Sequence, residues 1–149
     1  NAAKKDCFQN AHVNHNLSFG DDKSKSKMEI DVLVHCDDEK DTIALIVETK
    51  YNPRTTDVDD LITRADDLYD LIKKKSIFKF SQTGTLPGRE ISVPFSHFHN
   101  VKKVVPCLGG KLFHENVIEY CKQKKVIAIY PSGARYCTEG LKSLLKKLK

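Results

Sequence analysis

Met28-Glu29-Ile30-Asp31-Val32-Leu33-Val34-His35-Cys36 and Ala44-Leu45-Ile46-Val47-Glu48-Thr49-Lys50 decide how this chain folds. Both stretches are apolar and rich in β-branched residues, so both read as strands, from Met28 to Cys36 and from Thr42 to Lys50. Only a polar loop of hairpin length, ending at Asp41, separates them. A hairpin centred near Glu39 brings Asp31 opposite or diagonal to Glu48, on the same face. Glu48 and Lys50 are two apart and share that face. The stretch from Ile43 to Val47 is apolar on both faces, which marks a central strand and puts the charges that follow it at a sheet end or cleft. Carboxylates gathered there are costly to bury without a cation, and a divalent metal is the natural occupant.

Working outward, Ala11 to Phe19 alternates with Ala11, Val13, Leu17 and Phe19 at odd positions, which predicts a first strand. Gly20 to Lys27 reads as a loop. On the far side, Asn52-Pro53 stops the second strand of the hairpin. Thr56 or Asp57 reads as an N-cap. Val58, Leu61, Ile62, Ala65, Leu68, Tyr69 and Ile72 then recur at helical spacing. Acidic residues at its start and Lys73, Lys74 and Lys75 at its end suit the helix dipole.

Ile77 to Asn100 reads as an insertion or loose hairpin, Val101 to Leu108 as a strand, and Gly109-Gly110 as a turn into a helix from Leu112 to Lys124. A buried strand from Val126 to Tyr130 ends at Pro131-Ser132-Gly133. A last helix runs from about Thr138 to Leu148. The order predicts an α/β fold with a mixed central β-sheet flanked by helices.

The chain of 149 residues reads as a single domain, with 40% hydrophobic and 30% charged residues. No run approaches membrane-spanning length, so no membrane partner is expected. The first residue is Asn1 and the only methionine is Met28, which reads as a fragment of a longer protein whose other domains would be partners. Five cysteines without a close pair imply no disulfide framework and suit a reducing compartment, cytoplasm or nucleus. Cys36, Cys107 and Cys121 read as core thiols.

Charge is unevenly spread. Residues 1–100 hold 14 basic and 17 acidic side chains, whereas residues 101–149 hold 11 basic and 3 acidic ones. A basic C-terminal third beside an acidic cluster suits a protein that grips a polyanion. Lysine outnumbers arginine 21 to 4, which favours phosphate attraction over base reading.

Asp31, a short loop, Glu48-Thr49-Lys50 at the end of the next strand, then a helix and another strand, together resemble the PD-(D/E)XK nuclease superfamily, also called restriction-endonuclease-like. The resemblance runs from about Met28 to Leu108. It implies a restriction-endonuclease-like core and metal-dependent hydrolysis of nucleic acid, DNA ahead of RNA. It implies that Asp31 and Glu48 ligate Mg²⁺ or Mn²⁺ with the backbone carbonyl of Thr49, and that Glu29 is an extra ligand or a supporting acid. Lys50, desolvated beside the metal, would orient or activate the attacking water and steady charge on the phosphate. Arg64, with Thr63 or Asp67 as substitutes, would be the polar residue on the following helix that faces the site. Lys102 and Lys103 are the lysines expected to contact substrate phosphates.

The chain departs from the superfamily in showing no acid-bearing helix before the first strand. Asp6 is a poor substitute. Two competing readings stand beside the nuclease. One is an inactive nuclease-like domain that binds nucleic acid or a protein. The other is an α/β interaction module with an incidental charge cluster. Gly109-Gly110-Lys111 reads as a plain turn rather than a phosphate cradle. His12 with His15, and His97 with His99, read as ordinary histidines rather than zinc ligands.

Overall fold

The computed structural model describes residues 11–19, 28–36, 42–73, 80–82, 92–93, 101–141 and 143, with side chains described for 43–73, 101–141 and 143. The strands are β1 (Ala11–Phe19), β2 (Met28–Cys36), β3 (Thr42–Lys50), β4 (Phe80–Gln82), β5 (Ser92–Val93), β6 (Val101–Gly110), β7 (Ile127–Ser132) and β8 (Arg135–Glu139). The helices are α1 (Thr55–Lys73) and α2 (Glu115–Lys124). One mixed sheet runs in the order β5-β4-β1-β2-β3-β6-β7-β8. The protein is therefore an α/β fold built on a mixed central sheet.

The hairpin forms as its pattern predicts. β2 and β3 pair antiparallel, with Val32 opposite Val47, Leu33 opposite Ile46 and Val34 opposite Leu45. β1 lies antiparallel along the outer side of β2. β3 is central, because β6 runs parallel to it from Ile43↔Lys103 to Lys50↔Gly110. Ile43, Ala44, Leu45 and Ile46 are all buried.

The crossovers β3-α1-β6 and β6-α2-β7 step across the sheet in one direction, so right-handed connections place both helices on one face. There Val58, Leu61, Ala65, Leu68 and Ile72 of α1, with Val117 and Cys121 of α2, pack on Ala44, Ile46, Val104, Leu108 and Ala128. Tyr120 ties the helices together, its hydroxyl donating to Asp59 Oδ1 at 2.8 Å.

The local chemistry departs from the sequence reading in four places. Arg54, not Thr56 or Asp57, caps α1. Its carbonyl accepts from the Asp57 and Val58 amides, and its own N–H donates to Asp57 Oδ2 at 2.8 Å. Asp57 is thus the third helical residue reaching back to the cap, half of a capping box. Gly109 and Gly110 continue β6 instead of turning, and α2 begins only at Glu115. A Cβ on Gly110 would lie 2.4 Å from Pro53 Cγ and 2.5 Å from Pro53 Cδ, so the glycine serves close packing rather than a bend. Thr138 and Glu139 belong to a strand, β8, rather than to a last helix. β7 and β8 close through Gly133 and Ala134 with Ser132 opposite Arg135, and Gly133 takes φ 62°. The remainder of that expected helix beyond Ser143 lies outside the described residues, as do His97, His99 and the loop from Gly20 to Lys27. The stretch read as an insertion or loose hairpin contains β4 and β5, which pair antiparallel.

Candidate active site

Glu48 is the one buried charged side chain among those described, 9% exposed. Two features of the sequence put it there. It lies two residues beyond Ile46 and so shares the helix-covered face of β3. It also stands beside fully buried Leu108 in the parallel register. Its carboxylate would be stranded without a cation. Arg64 supplies one, with Nη1 ion-paired and hydrogen-bonded to Glu48 Oε1. Arg64 belongs to the inward stripe of α1, between buried Leu61 and Ala65, yet keeps 38% of its side chain exposed. This partial exposure lets the guanidinium reach a site at the sheet end without full desolvation.

Asp31 lies one residue beyond the Val32↔Val47 pair, so continuing the antiparallel register sets it opposite Glu48. The same continuation sets Glu29 opposite Lys50. Seventeen residues apart in sequence, Asp31 and Glu48 each lie one residue past the Val32↔Val47 pair, on adjacent strands. β1 adds a residue the sequence reading did not single out. Asn16 lies between His15↔Val32 and Leu17↔Ile30, at the position next to Asp31. The alternation of β1 was the signal, but its partner strand could not be assigned before the topology was known.

Thr49 and Lys50 end β3 and are exposed. Lys50 is therefore not desolvated as expected. It stands where the strand opens to solvent, beside Gly110, the last residue of β6. Of the three candidates for the polar residue on the helix, Arg64 reaches the site, whereas Thr63 and Asp67 are exposed. Thr63 turns back on its own helix, its hydroxyl donating to the Asp59 carbonyl at 3.2 Å.

Lys102 and Lys103 are not brought to this site. Lys103 pairs with Ile43, five residues before the Glu48↔Leu108 pair. At strand rise that is about 16 Å from Glu48. Lys103 instead lines a cleft of about 560 Å³ together with Lys122, Lys125 and Glu139. There Lys122 bridges Glu119 at 3.4 Å and Glu139 at 3.3 Å. These contacts hold the Lys122 ammonium above its ordinary pKa and the Glu139 carboxyl below its own.

The donor set suits a hard divalent cation. Carboxylate and carbonyl oxygens are what Mg²⁺ and Mn²⁺ take. Glu48 Oε1 is engaged by Arg64. Among the described side chains no cluster of three or more His, Cys, Asp or Glu forms.

No protein-family model, curated protein or solved structure matches the chain.

Proposed function

We propose that this chain is a metal-dependent nuclease domain with a restriction-endonuclease-like core and a PD-(D/E)XK-type site. The observation that carries the reading is Glu48: a carboxylate kept nearly buried at the end of a central strand, one residue past the Val32↔Val47 pair as Asp31 is on β2, and followed two residues later by an exposed lysine. A surface ion pair needs no such burial, and a purely structural carboxylate is rarely retained at such cost.

Asp31, Glu48 and the Thr49 carbonyl would hold Mg²⁺ or Mn²⁺, with Glu29 in support. Such an ion neutralises phosphoryl oxygens and lowers the pKa of water. Lys50, at the solvent-open end of β3, orients the attacking water and meets the charge that grows on the phosphate. Arg64 balances the Glu48 carboxylate and fixes which of its oxygens stays free. Nucleic acid is the substrate, with DNA ahead of RNA.

The Arg64–Glu48 pair also favours a second reading. A guanidinium that already neutralises the buried carboxylate is what an inactive nuclease-like domain, binding nucleic acid or a protein partner, would keep. Incubation with supercoiled plasmid, linear DNA and RNA in Mg²⁺ and in Mn²⁺ separates the two. The nuclease reading expects cleavage by the wild type and none by Asp31→Ala or Glu48→Ala. In Lys50→Ala it expects turnover to fall about a hundredfold or more, with affinity little changed. Intact substrates in both metals would favour the inactive domain, and wild-type cleavage by either carboxylate variant would misplace the site.

A further inference from the structure

The large apolar side chains most exposed among the described residues are Tyr51 at 66%, Leu112 at 48% and Tyr136 at 73%. All three lie along one edge of the molecule, the end of the sheet at which Glu48 sits. Lys50 pairs with Gly110 and Gly109 with Ile129, so Tyr51, Lys111 and Pro131 follow at equivalent ends of β3, β6 and β7. Pro131 in turn pairs with Tyr136 of β8. Tyr51 and Tyr136 therefore stand three strand spacings apart, about 14 Å.

The display is fixed rather than loose. The Leu112 N–H donates to the Tyr51 carbonyl at 2.9 Å, which prolongs the β3–β6 ladder, and buried Pro53 anchors the chain two residues on. A basic group lies against one ring, Lys111 Nζ being 5.8 Å from the centroid of the Tyr51 ring, and Arg135, next to Tyr136 in the chain, is exposed. A depression of about 270 Å³ at the same end is lined by Lys111, Leu112, Phe113, His114, Tyr130 and Pro131. Phe113 and Tyr130 are in ring contact there, with centroids 5.7 Å apart.

Two exposed rings at one end of a sheet, one of them against an ammonium, offer stacking faces to a planar ligand. Rings alternating with cations match a ligand that alternates flat bases with anionic phosphates. We infer that the rim Tyr51, Lys111-Leu112 and Arg135-Tyr136 binds single-stranded nucleic acid, with unstacked bases on Tyr51 and Tyr136 and phosphates on Lys111 and Arg135. The inference deepens the nuclease reading, on which it rests for the choice of nucleic acid over other anions. It names the substrate as a single strand or a frayed end rather than an intact duplex.

The test uses the full chain in EDTA, so that binding is read without cleavage. Fluorescence anisotropy would compare a labelled single-stranded oligonucleotide, its duplex and an abasic strand of the same length. The wild type should prefer the single strand to both. Tyr51→Ala and Tyr136→Ala should each weaken single-strand binding roughly 5-fold or more and leave the abasic strand unaffected. Tyr51→Trp should retain the affinity. Lys111→Ala should weaken all three ligands and reduce the salt slope by about 0.7 on the single strand. Equal affinity for the abasic strand, or no loss in the Tyr51/Tyr136 double variant, would overturn the inference. So would failure to bind any oligonucleotide, the outcome expected of a protein-binding rim. A parallel cleavage assay keeps the two proposals apart. Tyrosine-dependent binding without cleavage leaves the rim standing and removes the nuclease. Cleavage without tyrosine dependence does the reverse.

Discussion

Arg64 and Glu48 hold each other in place across the site, and their unequal exposure sets what each loss does. The Glu48 side chain is 11% exposed and that of Arg64 38%. Removing Arg64 strands a carboxylate in a largely dry position, whereas removing Glu48 leaves a guanidinium that water can reach. Arg64→Ala should therefore destabilise the protein by about 1–3 kcal/mol, and Glu48→Ala by less. If the carboxylates form a metal site, Mn²⁺ should raise the melting temperature of Arg64→Ala more than that of the wild type, because the ion replaces the missing charge. Thermal melts at several Mn²⁺ concentrations check this, and an equal shift in both proteins would count against it. This pair was partly legible in the sequence. The resemblance to the nuclease superfamily pointed to Arg64 as the polar residue of α1 that faces the site. What the sequence could not show is that Arg64 binds the carboxylate itself, since that depends on how α1 lies across β3.

Among the elements, the junction of β3, β6 and α1 carries the tightest packing. Gly110 has Pro53 against it, and a proline ring cannot swing aside as a long side chain can. Gly110→Ala should cost about 1–3 kcal/mol as overpacking and should disturb the entry to α1. Gly109→Ala meets its nearest neighbour, Thr49 Cγ2, only at 3.4 Å and should be tolerated. Urea denaturation of both variants decides, and equal stabilities would remove the packing argument. The same junction shows why some elements escaped the sequence reading. Glycine signals a turn unless a neighbour demands its missing side chain, and that neighbour, Pro53, is far along the chain. β8 escaped because Gly133 reads as a terminator, and five residues carrying Arg135 and Glu139 show no clear alternation. The cap of α1 was misplaced because Asp57 suits the cap and the third helical position equally well. β2, β3 and α1 were legible because each has a long, clean period that tertiary context reinforces.

For the whole molecule, two buried thiols, one on β6 and one on α2, shape the response to pH. Burial pushes the Cys107 thiol up to about 12 from 9.0, and that of Cys121 up to about 11. An unfolded chain releases these protons near pH 9, while the folded protein holds them. Stability is thus complete below pH 9 and declines as pH rises towards 12. Urea midpoints at pH 8 and pH 10 should show that decline, and Cys107→Ala should flatten it. An identical decline in wild type and variant would contradict the assignment. The central claim is that Asp31 and Glu48, on different strands, act as one metal site. Calorimetric titration of Mn²⁺ into the wild type, Asp31→Ala and Glu48→Ala tests this without reference to turnover. The account predicts one weak site in the wild type, because few protein ligands contribute, and loss of the signal in both variants. Undiminished Mn²⁺ binding in either variant would contradict it.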